Sequence, residues 1–375
     1  MNNKFSKFYS FFLLLALVPI LSACSLSFTS SGIKLDGTVD GGVFMSETKG
    51  DAWFQVSSIP TVNGQIRSLS SEDVQDIAID PNDHKTLYLS ILGKGLWYTN
   101  NARDGWNHLP SLDDLDLRVV RVDPENKCTI YTLSDNQILK TDNCGRDFKQ
   151  IYQDDNPNAK LTTIAIDWNN HHNIYLGNSR GDILKSIDSG SNWRAIKTVE
   201  NGSAVMKILI SPQDSRRIFV ASRDANVYSF ISNTKTNPAN SEEIEQNFAV
   251  NEWQEYNKVL SSLSLGSDFR ALAITDNGVL FLATNSSLAR SRDRGITWEK
   301  LTILTTDNQT SINALAVNQK DSSEIYYVTS NTLFRSTDSG VSWTTKPLPT
   351  GRSGSKLLVD YQNPSIIYLG VVKEQ

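Results

Sequence analysis

The chain has 375 residues, 39% of them apolar and 21% charged, with 36 Lys and Arg against 41 Asp and Glu for a formal charge of -5. It is longer than one ordinary domain of roughly 100 to 200 residues, too apolar for a disordered chain and too polar for a multi-span membrane protein. The acidic balance excludes the sequence-independent phosphate attraction on which nucleic-acid binding rests, and three cysteines, Cys24, Cys128 and Cys144, supply neither a disulfide scaffold nor paired zinc spacing.

The first ten residues carry Lys4 and Lys7 with no acid, and FFLLLALVPI at 11 to 20 is unbroken apolar sequence. That is the layout of an export signal, because a run of about ten is well short of the roughly 20 residues a spanning helix needs. Leu21-Ser22-Ala23-Cys24 resembles the bacterial lipobox. The resemblance implies diacylglyceryl transfer to Cys24, cleavage before it and acylation of the new amino terminus. Residues 1–23 are then a lipoprotein signal peptide, and 24–40 are the lipidated Cys24 with a Ser-, Thr- and Gly-rich tether. The expected location is the exported side of a bacterial cell membrane, held by two or three acyl chains.

Beyond the tether the sequence repeats. A β-type run ending in a polar turn recurs as DIAID (76 to 80), VVRVD (119 to 123), TIAID (163 to 167), KILIS (207 to 211), ALAIT (271 to 275), ALAVN (314 to 318) and KLLVD (356 to 360). A second run follows each, with an aromatic at its centre: LYLS at 87, IYTL at 130, IYLG at 174, IFVA at 218, LFLA at 280, IYYV at 325 and IYLG at 367. The ends of the first series are 42 to 44 residues apart except for one gap of 64, so one repeat carries an insertion, placed at 233–252. Periods of 40 to 50 with short strands indicate propeller blades.

A third element completes each repeat. Ser186, Asp188, Gly190 and Trp193 match S-x-D-x-G-x-x-W, as do Ser291, Asp293, Gly295 and Trp298, and Ser336, Asp338, Gly340 and Trp343. Weaker copies begin at Ser46, Thr99 and Thr141, and the remaining copy is interrupted after VYSFIS (227 to 232). These segments resemble the Asp-box, or BNR, repeat. The physical reading is a fold device: hydroxyl and carboxylate accept the exposed amides of a tight turn, Gly supplies a positive φ, and the indole packs back on the blade. Arg103 stands where the weak copy at Thr99 should have Gly, so that turn is expected to rearrange rather than carry strain.

The repeats predict an all-β fold, a single seven-bladed β-propeller over 41–375. The chain starts on the outer half of a blade (GGVFMS, AWFQV) and stops on an inner half (SKLLVD, IIYLGVV), so the closing blade is built from both termini, leaving no open edge. Over nearly the whole of 41–375 the sequence resembles Asp-box propellers, a group that includes sialidases, xyloglucanases, the luminal domains of sorting receptors and the photosystem II assembly and stability factor. In its I-D-P (79 to 81), V-D-P (122 to 124) and S-T-D-S-G (336 to 340) phrasing it looks most like the xyloglucanase and assembly-factor repeats.

Catalysis finds little footing in the residues. Sialidase resemblance would imply an Arg-Ile-Pro motif, which is absent, and xyloglucanase resemblance would imply two facing propellers, where this chain predicts one ring. Asp80, Asp123, Asp167 and Asp360 occupy one equivalent turn position per blade and read as turn caps rather than a glycosidase pair. His84, His171 and His172 lie in such turns without a matched third ligand, so no metal and no cofactor are expected. Cys128 and Cys144 flank strands of one blade whose antiparallel pairing brings them to one side; a disulfide there would contribute about 3 kcal/mol.

Lys94, Arg180, Asp182, Arg223, Asp224 and Arg290 depart from the repeat and are expected on loops of one face, as a polar docking site. The insertion, with Ile244 and Phe248 among Glu242, Glu243 and Glu245, is expected to hold a short amphipathic helix on or beside blade 5. The resulting expectation is a monomeric, noncatalytic scaffold anchored to membrane lipid through acylated Cys24 and docking another envelope protein. The alternative is a glycan binder or divergent glycoside hydrolase, which an exposed Trp97 or Trp168 beside carboxylates would favour.

Overall fold

The computed structural model describes residues 40–373, apart from 63, 64, 66, 114, 234–240 and 305–310. The expected signal peptide, Cys24 and most of the tether lie outside the described residues. Seven four-stranded antiparallel sheets follow one another, each written here with strands A to D from the inside outward. Strands A and B are Val74–Asp80 and Asp83–Ile91 in blade 1, Leu117–Val122 and Ile130–Ser134 in blade 2, and Leu161–Ile166 and Ile174–Asn178 in blade 3. They are Val205–Ile210 and Arg217–Ser222 in blade 4, Phe269–Ile274 and Leu280–Thr284 in blade 5, and Ala314–Asn318 and Asp321–Val328 in blade 6.

Blade 7 takes its inner strands, Ser353–Val359 and Ile367–Val372, from the end of the chain and its outer strands, Val43–Ser46 and Phe54–Gln55, from the beginning. Val43 to Ser46 pair residue by residue with Gly370 to Ile367. Buried Arg352 adds a second clasp, reaching Asp40 at 3.3 Å and Asp73 at 3.0 Å. The predicted seven-bladed, terminus-closed propeller is therefore the fold observed.

The core lies between blades. Each of seven apolar clusters joins two neighbours; one packs Tyr131, Leu133 and Ile138 of blade 2 on Leu161, Ile164, Ile174 and Leu176 of blade 3. A fully buried Leu or Ile contributes roughly 1.5 to 3 kcal/mol, so each seam is worth far more than any single turn. Small residues on strand B let the next blade approach: a Cβ on Gly177 would collide with Val205 Cγ1. Burial of the aromatic at the centre of strand B drives the pattern, with Tyr131, Tyr175 and Tyr326 fully enclosed.

The interrupted blade carries the predicted helix, Ser241–Phe248. It packs toward blade 3 rather than blade 5: Arg194 on strand D of blade 3 (Arg194–Thr198) bonds Glu245 at 2.6 Å and covers the Phe248 ring at 4.4 Å. Cys128 and Cys144 form the expected disulfide.

Candidate functional site

The two ends of the ring use charge differently. At the A-to-B turns, the expected caps are in place: one oxygen of Asp123 accepts the amides of Glu125 and Asn126 at 2.8 and 3.0 Å. Asp80, Asp167 and Asp360 hold Asn82, Asn169 and Gln362 in the same way at 2.8, 2.9 and 2.8 Å. The second oxygen serves the seam between blades, His171 bonding Asp123 at 2.8 Å and His84 bonding Asp360 at 2.7 Å. Burial raises the Asp80 and Asp167 carboxyls above their ordinary value despite these amide donors. These four aspartates are thus committed to turns. Among the described residues no group of three His, Cys, Asp or Glu is placed to hold a metal.

The Asp-box turns behave as the sequence predicts. Ser186 Oγ donates to Asp188 Oδ1 at 2.8 Å and accepts the Gly190 amide at 2.8 Å, while Asp188 takes the Asn192 amide at 2.8 Å. Trp193 closes the turn on the Gly190 carbonyl at 2.9 Å. Ser291, Asp293, Gly295 and Trp298 repeat this geometry. Ser336, Asp338 and Gly340 do so as well, except that Trp343 donates instead to the Thr302 carbonyl at 2.7 Å. Ser342 and the neighbouring donors hold Asp338 down at about 2. At the Arg103 copy the turn is rearranged, as expected, into a 3-10 turn over Ala102–Asp104, and Gly105 takes the positive φ of 98°. Sequence reading missed that the residue before the box Gly is also left-handed: Lys49, Cys144, Ser189, Arg294 and Ser339 all have φ between 57° and 66°.

Five of the six predicted docking residues lie at the loop end. Lys94 is exposed in the B-to-C turn of blade 1. Arg180 pairs with Asp154 at 3.3 Å and with Asp182 at 3.0 Å in blade 3. Arg223 is exposed beside Asp224, whose carboxylate is held by Ser203, Ser222 and Asn226 in blade 4. Arg290 is a correction. It is a buried strand C residue of blade 5 (Leu288–Ser291), bonding Glu299 at 2.9 Å and the Ser339 carbonyl of the next Asp-box turn at 2.6 Å. The residue before a box Ser or Thr is a cation in four blades, Lys140, Lys185, Arg290 and Arg335, so Arg290 belongs to the repeat. Arg335 likewise reaches the Lys49 carbonyl at 3.2 Å.

The strands nearest the axis hold a constellation the docking prediction did not include. The A-to-B register puts Asp76, Val119, Thr163, Lys207, Ala271, Ala314 and Lys356 at one equivalent level, and Arg121 two residues further along strand A of blade 2. Asp76 is nearly fully buried; one of its oxygens takes Arg121 Nη1 at 2.7 Å and the Val120 amide at 3.2 Å. Burial alone would raise the Asp76 carboxyl, but Arg121, Lys356 and Lys207 hold it below the ordinary value. Enclosure by the ring, then repulsion from Arg121 and Lys356, draws the Lys207 ammonium down to about 7 against the opposing pull of Asp76. Lys207 and Lys356 keep partial solvent access, and among the described residues neither ammonium has a hydrogen bond or ion pair.

At the loop end of the same strands the register slips by one residue in six blades. The extra residues are Gln75, Arg118, Thr162, Met206, Arg270 and Ser355. Bulges of this kind re-aim side chains at the rims of closed sheets. Arg118 and Arg270 are exposed there, bonding Asp135 at 3.8 Å and Ser311 at 3.4 Å. The aligned runs DIAID, VVRVD, KILIS and KLLVD carried the signal for the inner charges, since other copies have Ala or Thr at those places.

Of the two tryptophans that bear on sugar binding, Trp97 is buried, tilted against His108 at 4.3 Å and bonded to the Lys94 carbonyl at 3.0 Å. Trp168 is 46% exposed, its indole N–H donating to the Ser211 carbonyl of the next blade at 3.0 Å. Among the described residues no helix is long and apolar enough to cross a membrane.

These features define the chain as a seven-bladed β-propeller. Its solved neighbours include YCF48 bound to D1 peptide, at 17% identity and a TM-score of 0.57 over 80% of this chain and 94% of that one. They also include the GH74 enzyme of Niastella koreensis and the GH74 xyloglucanase of Xanthomonas campestris, both at 14% identity and a TM-score of 0.60. This chain covers 84% and 80% of its own length in those two matches but only 53% and 51% of the enzymes. No family model and no curated protein matches the sequence.

Proposed function

We propose that the protein is a lipid-anchored, noncatalytic propeller that docks a protein partner on its loop face, on the exported side of a bacterial membrane. The observation that carries the docking reading is the cationic centre of that face. Arg118 and Arg270 stand at the mouth, Lys207, Lys356 and Arg121 lie further in, and Asp76 is the one carboxylate on those strand positions. An acidic segment of a partner is the complement of such a surface, and complementary charge across an interface steers encounter and fixes register. The neighbour that holds a D1 peptide supports a ring of this course as a peptide-binding platform. The lipobox resemblance at Cys24 supports the anchor.

The noncatalytic reading is supported by the commitment of the turn aspartates to backbone amides and histidines. The docking test is cross-linking in the native cells from Arg118 and Arg270. A partner that is captured from these positions and lost when both are changed to Gln supports docking, and capture unaffected by the double change contradicts it. Metabolic labelling with palmitate, lost in Cys24→Ala, tests the anchor.

A second reading, glycan binding, is favoured by the half-exposed indole of Trp168. A glycan array run with the parent chain and Trp168→Ala tests it; signals that disappear in the variant would support sugar stacking.

A further inference from the structure

Five features of the inner ring point to a bound ligand that is not part of the fold. Two lysines and one arginine are brought by the register to a region that contains one carboxylate, so the local sum is two positive charges when Lys207 is protonated. Asp76 gives one oxygen to Arg121 and to a backbone amide, and neither lysine hydrogen-bonds the other oxygen. Neither lysine has an acceptor among the described residues. Their neighbours at the same level are Val119, Thr163, Ala271 and Ala314, which bring no negative charge. Both lysines nevertheless keep partial solvent access.

Charges enclosed by protein are ordinarily paired, because an unpaired ammonium loses hydration and gains nothing in return. Here three cations come from blades 2, 4 and 7, so no local turn or strand pairing requires them. A propeller seam does not need them either: blades 3, 5 and 6 fill the equivalent level with Thr163, Ala271 and Ala314. The ring therefore holds positive charge at a structural cost, in a place where a small anion can enter.

We propose that the centre of the ring binds one doubly charged oxyanion, held by Lys207, Lys356 and the free donors of Arg121, with Asp76 positioning the guanidinium. Phosphate and a short dicarboxylate share this chemistry. Both present paired oxygens to Arg and a net charge that cancels the local excess. This site lies deeper along the strands than the docking positions Arg118 and Arg270, and it does not depend on a protein partner.

The test is titration calorimetry on the full chain in detergent with sulfate, phosphate and malonate as probes. Sulfate isolates the protein's contribution to pH dependence, because it stays doubly charged throughout. One site per chain is expected, with sulfate binding at about pH 6 at least several-fold tighter than at about pH 8.5, as Lys207 loses its proton. Lys207→Met should weaken binding about tenfold or more, and Asp76→Asn, which keeps the shape and removes the competing charge, should strengthen it. Lys127→Gln, exposed in an A-to-B turn at the opposite end, should leave it unchanged. Tighter binding of phosphate than malonate would assign the natural ligand to the phosphate class, and the reverse to carboxylates. The proposal is overturned if none of the three probes saturates a site, or if folded Lys207→Met and Asp76→Asn both bind sulfate as the parent does. Loss of partner cross-links from Arg118 with sulfate binding intact would sink the docking reading alone.

Discussion

The two ends of the ring have the same backbone and opposite chemistry. At the A-to-B turns, polar side chains repeat from blade to blade and are consumed locally: Asp123 alone holds two amides and His171. At the loop end and along the axis the residues differ between blades, and Lys207, Lys356, Lys94 and Arg223 face solvent or the ring without a carboxylate partner among the described residues. Repetition marks what seven blades need to fold, and departure from repetition is where the proposed docking surface lies. The rule has an instructive exception in blade 4. Where its Asp-box turn is replaced by the insertion, Lys185 of blade 3, the counterpart of Arg290 and Arg335, still reaches across the seam. Its ammonium meets Ser232 Oγ at 3.1 Å and the carbonyls of Asn233 and Asn247 at 2.6 and 2.5 Å.

That contrast can be broken from the structural side first. Ending the chain at Ser355 removes most of strand A and all of strand B of blade 7, and with them the partner of Val43–Ser46. Cooperative unfolding should be lost outright, seen as the absence of a thermal transition by circular dichroism. A native-like transition would contradict closure by both termini.

Gly190→Ala comes next. It places a Cβ at φ 92° within 2.5 Å of Ile151 Cδ1, and should cost about 2 to 3 kcal/mol in chemical denaturation. Asp123→Ala, which strips two turn amides and His171 of their acceptor, should cost about 2 kcal/mol. A neutral result at either position would mean that repeated residues are not the structural ones.

The smallest expected change lies on the functional side and has the opposite sign. Lys207 in the fold protonates at about 7 against an ordinary 10.5. Between those values the unfolded chain binds more protons than the folded one, so stability rises as pH increases through this window; below about 7 both states are charged and the full penalty is present. Lys185, lowered to about 7 by burial, acts in the same direction. Lys207→Met should therefore keep or slightly raise stability, by about 1 kcal/mol or less, and flatten the pH dependence on the alkaline side of neutrality. Denaturant midpoints followed across that range check both. A loss of several kcal/mol in Lys207→Met would show that the inner charges hold the ring together.

Much of this was legible in the sequence because a propeller writes its plan seven times. The pentads ending at Asp80 and its counterparts, the aromatic strand B runs and the Asp-boxes each fix one element, and their register at the termini fixes closure. The rearranged turn at Arg103 was legible because a left-handed position tolerates Gly and resists Arg. Arg290 was misread because it was judged singly; aligned with Lys140, Lys185 and Arg335 it is a repeat residue that ties one blade to the next Asp-box turn. The inner charges were hidden for a different reason. Asp76, Arg121, Lys207 and Lys356 stand inside runs whose apolar residues dominate the eye, and only side-by-side alignment reveals them. The bulges at Gln75, Arg118 and their equivalents leave no compositional trace, since they arise from how the D-to-A loops enter the ring. The helix at Ser241–Phe248 was legible from its residues, but its seat against Arg194 of blade 3 depends on the path of the insertion.

The central claim is that function resides at the loop end. It is tested most directly by placing one photo-cross-linking residue at Arg118 and, in a separate chain, one at Glu125 in an A-to-B turn, and comparing the products in native cells. The account predicts a discrete partner adduct from position 118 and none from position 125. An adduct only from position 125 would contradict it and move the docking surface to the opposite end of the ring.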